Sequence, residues 1–212
     1  MEKNIGNIRI DYMLKKLNEE DVQNEPIKQF DVWWNEAVES KITEVNAMTV
    51  STVSPEGYPS SRIVLLKDFS EEGFTFFTNY DSRKGHQIEA NNRVSIVFFW
   101  KELQRQVNIE GYAEKIDAEK SDEYFQMRPY GSRIGAWSSP QSQIIESRNV
   151  LEQNEENFKN QYPEFVPRPA HWGGYIIKPE RVEFWQGRSS RLHDRIVYVL
   201  VDSQWKTFRV AP

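Results

Sequence analysis

The chain contains no cysteine. That excludes disulfides, thiolate zinc sites, iron–sulfur clusters and thiol catalysis. Histidine is scarce as well: His86, His171 and His193 are the only three, so a multi-histidine metal site is not expected and no metal is assigned. No stretch approaches the roughly 20 apolar residues of a membrane-spanning helix. Met1–Ile5 lacks the apolar run of a signal peptide. An excess of positive charge is missing too. The 27 Lys and Arg are outnumbered by 32 Asp and Glu, for a formal net charge of −5, so the chain is not built to coat nucleic acid. Any phosphate must be met by local basic clusters. These absences point to a cytoplasmic protein that keeps no disulfide chemistry.

What the chain does have is aromatic bulk. Seven Trp, nine Tyr and twelve Phe within 212 residues are enough for one sizeable core, and a single domain with an arm is expected. Residues 1–25 read as the arm, polar with one short apolar face of Ile8, Tyr12, Met13 and Leu17. The single domain then spans 26–212. After Pro26, the residues Phe30, Trp33, Trp34, Ala37 and Val38 recur at helical spacing and predict one apolar helix face.

The period then shortens to two. Ala47–Val53, Ser61–Leu66, Gly73–Thr78, Arg93–Trp100 and Gln106–Ile116 read as strands, with Ser54-Pro55-Glu56-Gly57 as a turn between the first two. Short helices are expected over Ser82–Ala90, from Asp117 to Met127 and around Gly131–Trp137, and a longer one from a Ser142 cap to Phe158. Pro163, Pro167 and Pro169 mark a loop. Trp172–Lys178, Arg181–Trp185, Ile196–Val201 and Trp205–Arg209 are the late strands. Many short strands without strand–helix alternation predict a mainly β, antiparallel barrel with flanking helices.

Five segments carry possible chemistry. Arg62–Lys67 places a charge at each end of an apolar strand, which solvation alone would explain. Thr78–Gly85 puts Arg83 and Lys84 at a helix start, where backbone N–H groups attract anions. A phosphate site and a charged surface turn fit that segment equally well. Gln104-Arg105-Gln106 opens a strand with amides that can read a heterocycle, or simply begins a strand. Tyr124–Ser132 offers Arg128, Ser132 and a tyrosine hydroxyl as a second phosphate clamp, or a helix end with Arg128 favourable to its dipole. Trp185–Arg195 crowds Arg188, Arg191, Arg195 and His193 into one loop, which is costly without an anionic partner but also reads as a solvated basic hairpin.

In order, RIVLLK (62–67), FFTNYDSRKGHQIE (76–89), RQV (105–107), YFQMRPYGSRIGAW (124–137), FWQGRSSRLHDR (184–195) and the closing RVAP (209–212) resemble the pyridoxine/pyridoxamine 5′-phosphate oxidase family. The match runs from about Arg9 to Pro212. One departure is Ala90-Asn91-Asn92-Arg93, where relatives often place Pro before the Arg.

The resemblance implies an FMN-binding split β-barrel acting as a homodimer, with FMN between subunits. It assigns Arg62, Ile63, Leu65, Lys67, Phe77, Thr78, Arg83, Lys84, Gln106, Trp185 and Arg195 to FMN, with Gln141 and Ser142 arriving from the other subunit. It assigns Lys67, Tyr124, Arg128 and Ser132 to the substrate phosphate, and Arg191 and His193 to the pyridine ring and the catalytic step. Arg9 and Tyr12 match an N-terminal segment that closes over the site. The implied reaction oxidises pyridoxamine or pyridoxine 5′-phosphate to pyridoxal 5′-phosphate. Dioxygen is the acceptor, hydrogen peroxide forms, and the amine releases ammonia. Lys67 alone leaves a Schiff base open; its place in the phosphate set favours a phosphate contact. A different flavin-linked oxidoreductase or a non-catalytic flavin carrier are the competing readings.

Overall fold

A computed structural model describes residues 11–212 of the chain. Nine strands and five α-helices are found among them. The first helix, α1 (Pro26–Glu39), begins with proline at its first turn, where a missing N–H costs nothing. Phe30, Trp33 and Ala37 are buried along one face. Val38, expected on that face, is 47% exposed because it lies in the last turn, beyond the reach of the core.

Strand β1 (Ala47–Val53) alternates as its sequence does, burying Met48, Val50 and Thr52. A turn follows in which Gly57 N–H donates to the Ser54 carbonyl at 2.9 Å, with Gly57 at φ +88°, a left-handed backbone that suits glycine. Next come β2 (Pro59–Leu65), a short β3 (Asp68–Ser70) that the sequence reading did not anticipate, and β4 (Gly73–Asn79). β4 is buried at nearly every position, its polar Thr75, Thr78 and Asn79 included. Then α2 (Arg83–Ala90), β5 (Arg93–Trp100), β6 (Arg105–Lys115), α3 (Ala118–Met127) and α4 (Tyr130–Ser138) follow.

The longer helix, α5 (Arg148–Gln161), does not start at a Ser142 cap; Ser147 holds the N-cap position. Ser142 instead sits in a loop at φ +71°. The two late strands expected on either side of Pro179 are one strand, β7 (Trp172–Gln186). It is followed by β8 (Asp194–Val201) and β9 (Gln204–Arg209).

The sheet runs β2-β1-β5-β6-β7-β4-β3, with β8 paired to β7 and β9 to β8. β7 pairs antiparallel with β4 from Trp172 to Ile177 and with β8 from Arg181 to Gln186. Backbone contacts divide the chain into two compact units. One comprises the segments 50–95 and 111–178; the other comprises the residues up to Thr49 with 96–110 and 179–212. In the former, Phe125, Ile134, Val166 and Trp172 form a core joined by Phe77, Tyr124 and Trp137. In the latter, Phe30 meets Phe98 at 5.1 Å and Trp33 meets Phe184 edge-on at 5.1 Å. Residues 11–25 belong to this second unit. Leu17 is buried there, and its N–H donates to Asp194 Oδ2 at 3.1 Å. No helix among the described residues is long and apolar enough to cross a membrane.

Candidate active site

Hydroxyl groups on β1 and β2 fix the first cation. Arg62 Nη1 donates to Thr52 Oγ1 and Nη2 to Ser60 Oγ, each at 2.7 Å. Both hydroxyls in turn donate to Oε1 of buried Gln87 on α2, at 2.6 and 2.8 Å. Burial pushes the Arg62 guanidinium's pKa down, and the charge of Arg83 adds to the push.

At the start of α2, Ser82 Oγ accepts the Gly85 N–H at 3.3 Å. A Cβ on Gly85 would stand 1.9 Å from the Tyr80 carbonyl oxygen, so only glycine permits this tight entry to the helix. Arg83 emerges exposed from the first turn, while Lys84 turns inward and is only 8% exposed. Lys84 Nζ is surrounded by neutral oxygens: Thr78 Oγ1 at 2.7 Å, Ser82 Oγ at 3.3 Å and Gln141 Oε1 at 3.4 Å. Burial first, and then the charge of Arg62, lower its pKa to about 8.

Helices α3 and α4 supply a second basic wall. The rings of Phe77 and Tyr124 stack at 4.0 Å, and Trp172 continues the stack 5.4 Å from Phe77. The Arg128 guanidinium lies over the Trp172 ring at 4.5 Å, and its Nη1 is buried without a hydrogen-bond partner. Burial depresses its pKa, opposed by Tyr124.

These walls enclose a cavity of about 810 Å³ within the 50–95/111–178 unit. It is lined by Arg62, Ile63, Val64, Leu65, Lys67, Phe77, Thr78, Asn79, Arg83, Lys84, Tyr124, Arg128, Pro129, Ser132, Gln141, Ser142 and Trp172. Every residue that the sequence assigned to this part of the site is therefore gathered in one place. Gln141 and Ser142, expected from the other subunit, line the cavity within the same chain. Five basic side chains line it and no carboxylate does. Such a charge set is costly until an anion enters. The volume suits a small-molecule site. The donors fit a ligand, or a pair of ligands, bearing phosphate; FMN with a phosphorylated substrate meets that description.

The remaining predicted residues that are described lie in the other unit. Trp185 and His193 rings meet at 4.6 Å, and Tyr12 stands 5.9 Å from Trp185 and 6.2 Å from His193. His193 Nδ1 accepts the Arg188 N–H at 3.1 Å, which assigns the proton of the neutral ring to Nε2. Burial and the neighbouring Arg191 lower the His193 pKa, favouring that neutral form. Arg191 is exposed at φ +61°, after Ser190 at φ +56°.

Arg195, expected at FMN, is held by buried Glu183 through two hydrogen bonds of 2.8 and 2.9 Å and by the Ala211 carbonyl at 2.8 Å. Burial works to raise the Glu183 pKa, but Arg195 and Arg181 outweigh it and hold the carboxyl below its usual range. Gln106 is half-buried on β6. Arg9 lies outside the described residues.

The sequence reading did not single out Trp172, Asn79, Thr52, Ser60 or Gln87. Trp172 looked like an ordinary first residue of a strand. The hydroxyls that fix Arg62 carry no motif. Only the alternation of β1, which aims Thr52 inward with Met48 and Val50, could have pointed to one of them.

A family model described as pyridoxamine 5′-phosphate oxidase matches residues 34–162, and one described as the pyridoxine 5′-phosphate oxidase C-terminal dimerisation region matches 172–212. A pyridoxine/pyridoxamine 5′-phosphate oxidase of Cupriavidus pinatubonensis is 53% identical over 98% of this chain and 99% of its own length. One from Trichormus variabilis is 50% identical over the whole of both. The solved structure of PhzG from Burkholderia lata, in complex with tetrahydrophenazine-1-carboxylic acid, matches with a TM-score of 0.89 at 27% identity, covering 94% of this chain and 99% of that one. A pyridoxamine 5′-phosphate oxidase-related, FMN-binding protein of Nostoc punctiforme shares the fold at a TM-score of 0.71 and 18% identity, covering 90% of this chain and 100% of that one. The mainly β split-barrel fold with flanking helices, expected from the sequence, is the fold found.

Proposed function

From the premise that this chain belongs to the pyridoxamine 5′-phosphate oxidase family, we propose that it converts pyridoxamine 5′-phosphate and pyridoxine 5′-phosphate to pyridoxal 5′-phosphate, as a homodimer with FMN as cofactor. The amine, dioxygen and water give the aldehyde, ammonia and hydrogen peroxide. The alcohol and dioxygen give the aldehyde and hydrogen peroxide. The observation that carries this reading is the cavity in which five cations face no carboxylate.

Arg62, Arg83 and Lys84, with Thr78, Gln141 and Ser142, would hold the FMN phosphate and ribityl chain, and Ile63, Leu65 and Phe77 would flank them. When bound, FMN supplies the two-electron acceptor for the substrate C–H bond and passes the electrons to dioxygen. Lys67, Tyr124, Arg128 and Ser132 would grip the substrate phosphate. This fixes the reacting carbon at one place and converts binding into orientation. His193 would present its Nε2–H to the pyridine substituents as a hydrogen-bond donor. Arg191 would place positive charge beside the reacting carbon. Trp185, Gln106 and Arg195 would complete the cofactor site, with Arg195 held in orientation by Glu183. Arg9 and Tyr12 would close the N-terminal segment over the loop; Tyr12 already packs on Trp185 and His193. A chain without cysteine loses nothing in a reducing compartment, and we place the enzyme in the cytoplasm.

Purified protein should retain FMN, consume oxygen with pyridoxamine 5′-phosphate and yield the aldehyde, read by its absorbance. Protein that holds FMN but produces no aldehyde from either substrate overturns the reading.

A further inference from the structure

Arg128 differs from most half-buried arginines in what holds it. A partly buried guanidinium usually answers to a carboxylate, as Arg195 does to Glu183 and Arg105 to Glu36. Among the described residues no carboxylate pairs with Arg128. Its planar group instead lies over the Trp172 ring at 4.5 Å, with Phe125 as a second, more distant face at 5.4 Å. Nη1 is buried and unpartnered.

An aromatic face and a carboxylate both stabilise a guanidinium, but they leave it in different states. A carboxylate takes up N–H donors and cancels the charge. A ring attracts the cation through its quadrupole and leaves the edge donors and the net charge available. Trp172 is itself immobile: it is 7% exposed, edge-on to Phe125 at 5.1 Å, and stacked with Phe77 and Tyr124. It also lines the same cavity as Arg128.

We propose that Trp172 is a positioning residue for the substrate phosphate: it holds the Arg128 guanidinium flat and unneutralised, so that its free edge meets the phosphate of the vitamin B6 compound. This rests on the functional reading above. It predicts a separation between two phosphate-bearing ligands of the same cavity, because the ring of Trp172 lies beneath Arg128, whereas Arg62 and Lys84 beside α2 are held by the hydroxyls of Thr52, Ser60 and Thr78.

The test uses the full-length protein and two affinities, pyridoxal 5′-phosphate by its absorbance and FMN by fluorescence quenching. Trp172→Leu keeps apolar volume but removes the ring face. It should bind pyridoxal 5′-phosphate about tenfold more weakly, the scale of a desolvated cation–π contact, and raise KM for pyridoxamine 5′-phosphate similarly, with kcat within about threefold and FMN affinity unchanged. Trp172→Phe, which restores a ring, should recover most of the loss. Equal weakening of FMN and pyridoxal 5′-phosphate would reduce Trp172 to a structural role and overturn the proposal. So would an unchanged affinity for pyridoxal 5′-phosphate. If Trp172→Leu does not fold, Trp172→Met, which also removes the ring but fills more of its volume, takes its place with the same expected and overturning results. A parent protein that binds neither ligand would instead sink the functional reading itself.

Discussion

Two groups of basic residues, one in each unit, are handled in opposite ways. In the 179–212 segment and its partners, arginines meet acids: Arg195 meets Glu183, Arg188 meets Asp194, and Arg209 meets both Glu19 and Asp194. In the 50–95/111–178 unit, Arg62, Arg83, Lys84, Lys67 and Arg128 line one cavity without a carboxylate among its lining residues. Nothing in the residue types separates the two sets. What separates them is whether the chain answers its own charge. Where it does, the arginines are stable without a ligand, and Arg195 among them is already oriented for the role proposed for it at the cofactor. Where it does not, the missing charge has to come from a ligand. Arg191 stands apart within the first set: it is exposed, and no carboxylate pairs with it among the described residues.

Four experiments would break or sharpen this contrast. The largest effect is expected at the exception. Arg191→Ala or His193→Ala should lower turnover by about 10²–10⁴-fold, the range of a lost acid–base or positioning group, with FMN retained; stopped-flow or steady-state oxygen uptake measures it. Next, Arg83→Ala should weaken FMN binding by about 1.5–3 kcal/mol, the scale of a hydrogen bond to a charged group, while turnover at saturating FMN stays within a few-fold. Loss of turnover without loss of FMN in that variant would erase the division between the two units.

The third is a pH titration of FMN affinity. With its pKa lowered to about 8, Lys84 is charged below that pH and loses its proton above it. A bound phosphate favours the charged form. Affinity should therefore be full below about pH 8 and decline above it, by up to about tenfold per pH unit, with the decline absent in Lys84→Met.

The smallest effect belongs to the acid-paired set. Glu183→Gln should lower stability by about 1–2 kcal/mol, a buried-pair loss discounted because its arginines are partly exposed. Thermal unfolding would register it as a fall of a few degrees. Glu183 has a depressed folded pKa, so its contribution is present above the ordinary carboxylate range. It should fade as pH falls below about 4, where parent and variant converge.

Much of this was legible in the sequence, for identifiable reasons. β1 and β5 fall at their expected bounds because alternation and flanking turns both marked them. The strands expected over Trp172–Lys178 and Arg181–Trp185 are one, and the residue between them that cannot donate to a ladder is Pro179. It falls between the last residue paired with β4, Ile177, and the first paired with β8, Arg181, so that edge asks no hydrogen bond of it. Ser142 looked like a helix cap by type, but its left-handed backbone commits it to a loop on the cavity wall. Arg83 and Lys84 could be suspected from a helix start alone. The site as a whole was legible only through the family resemblance, since Gln87, which ties together the hydroxyls around Arg62, and the ring beneath Arg128 come from distant segments. Charge compensation, which separates acid-paired from cavity-lining arginines, is a property of contacts and has no one-dimensional signature.

The loop after β7 carries a different kind of information. Ser190 and Arg191 are consecutive L-residues at φ +56° and +61°, a conformation that costs about 1–3 kcal/mol per residue where it is strained. Selection for stability alone would place glycine there. Since Arg191 is also a residue assigned to the catalytic step, this is a place where the chain trades robustness for reach. Ser190→Gly should raise the melting temperature at little cost in rate. Arg191→Gly should also relieve the backbone and disable the enzyme. A laboratory screen that rewards heat resistance without monitoring catalysis would drift toward that dead, more stable variant.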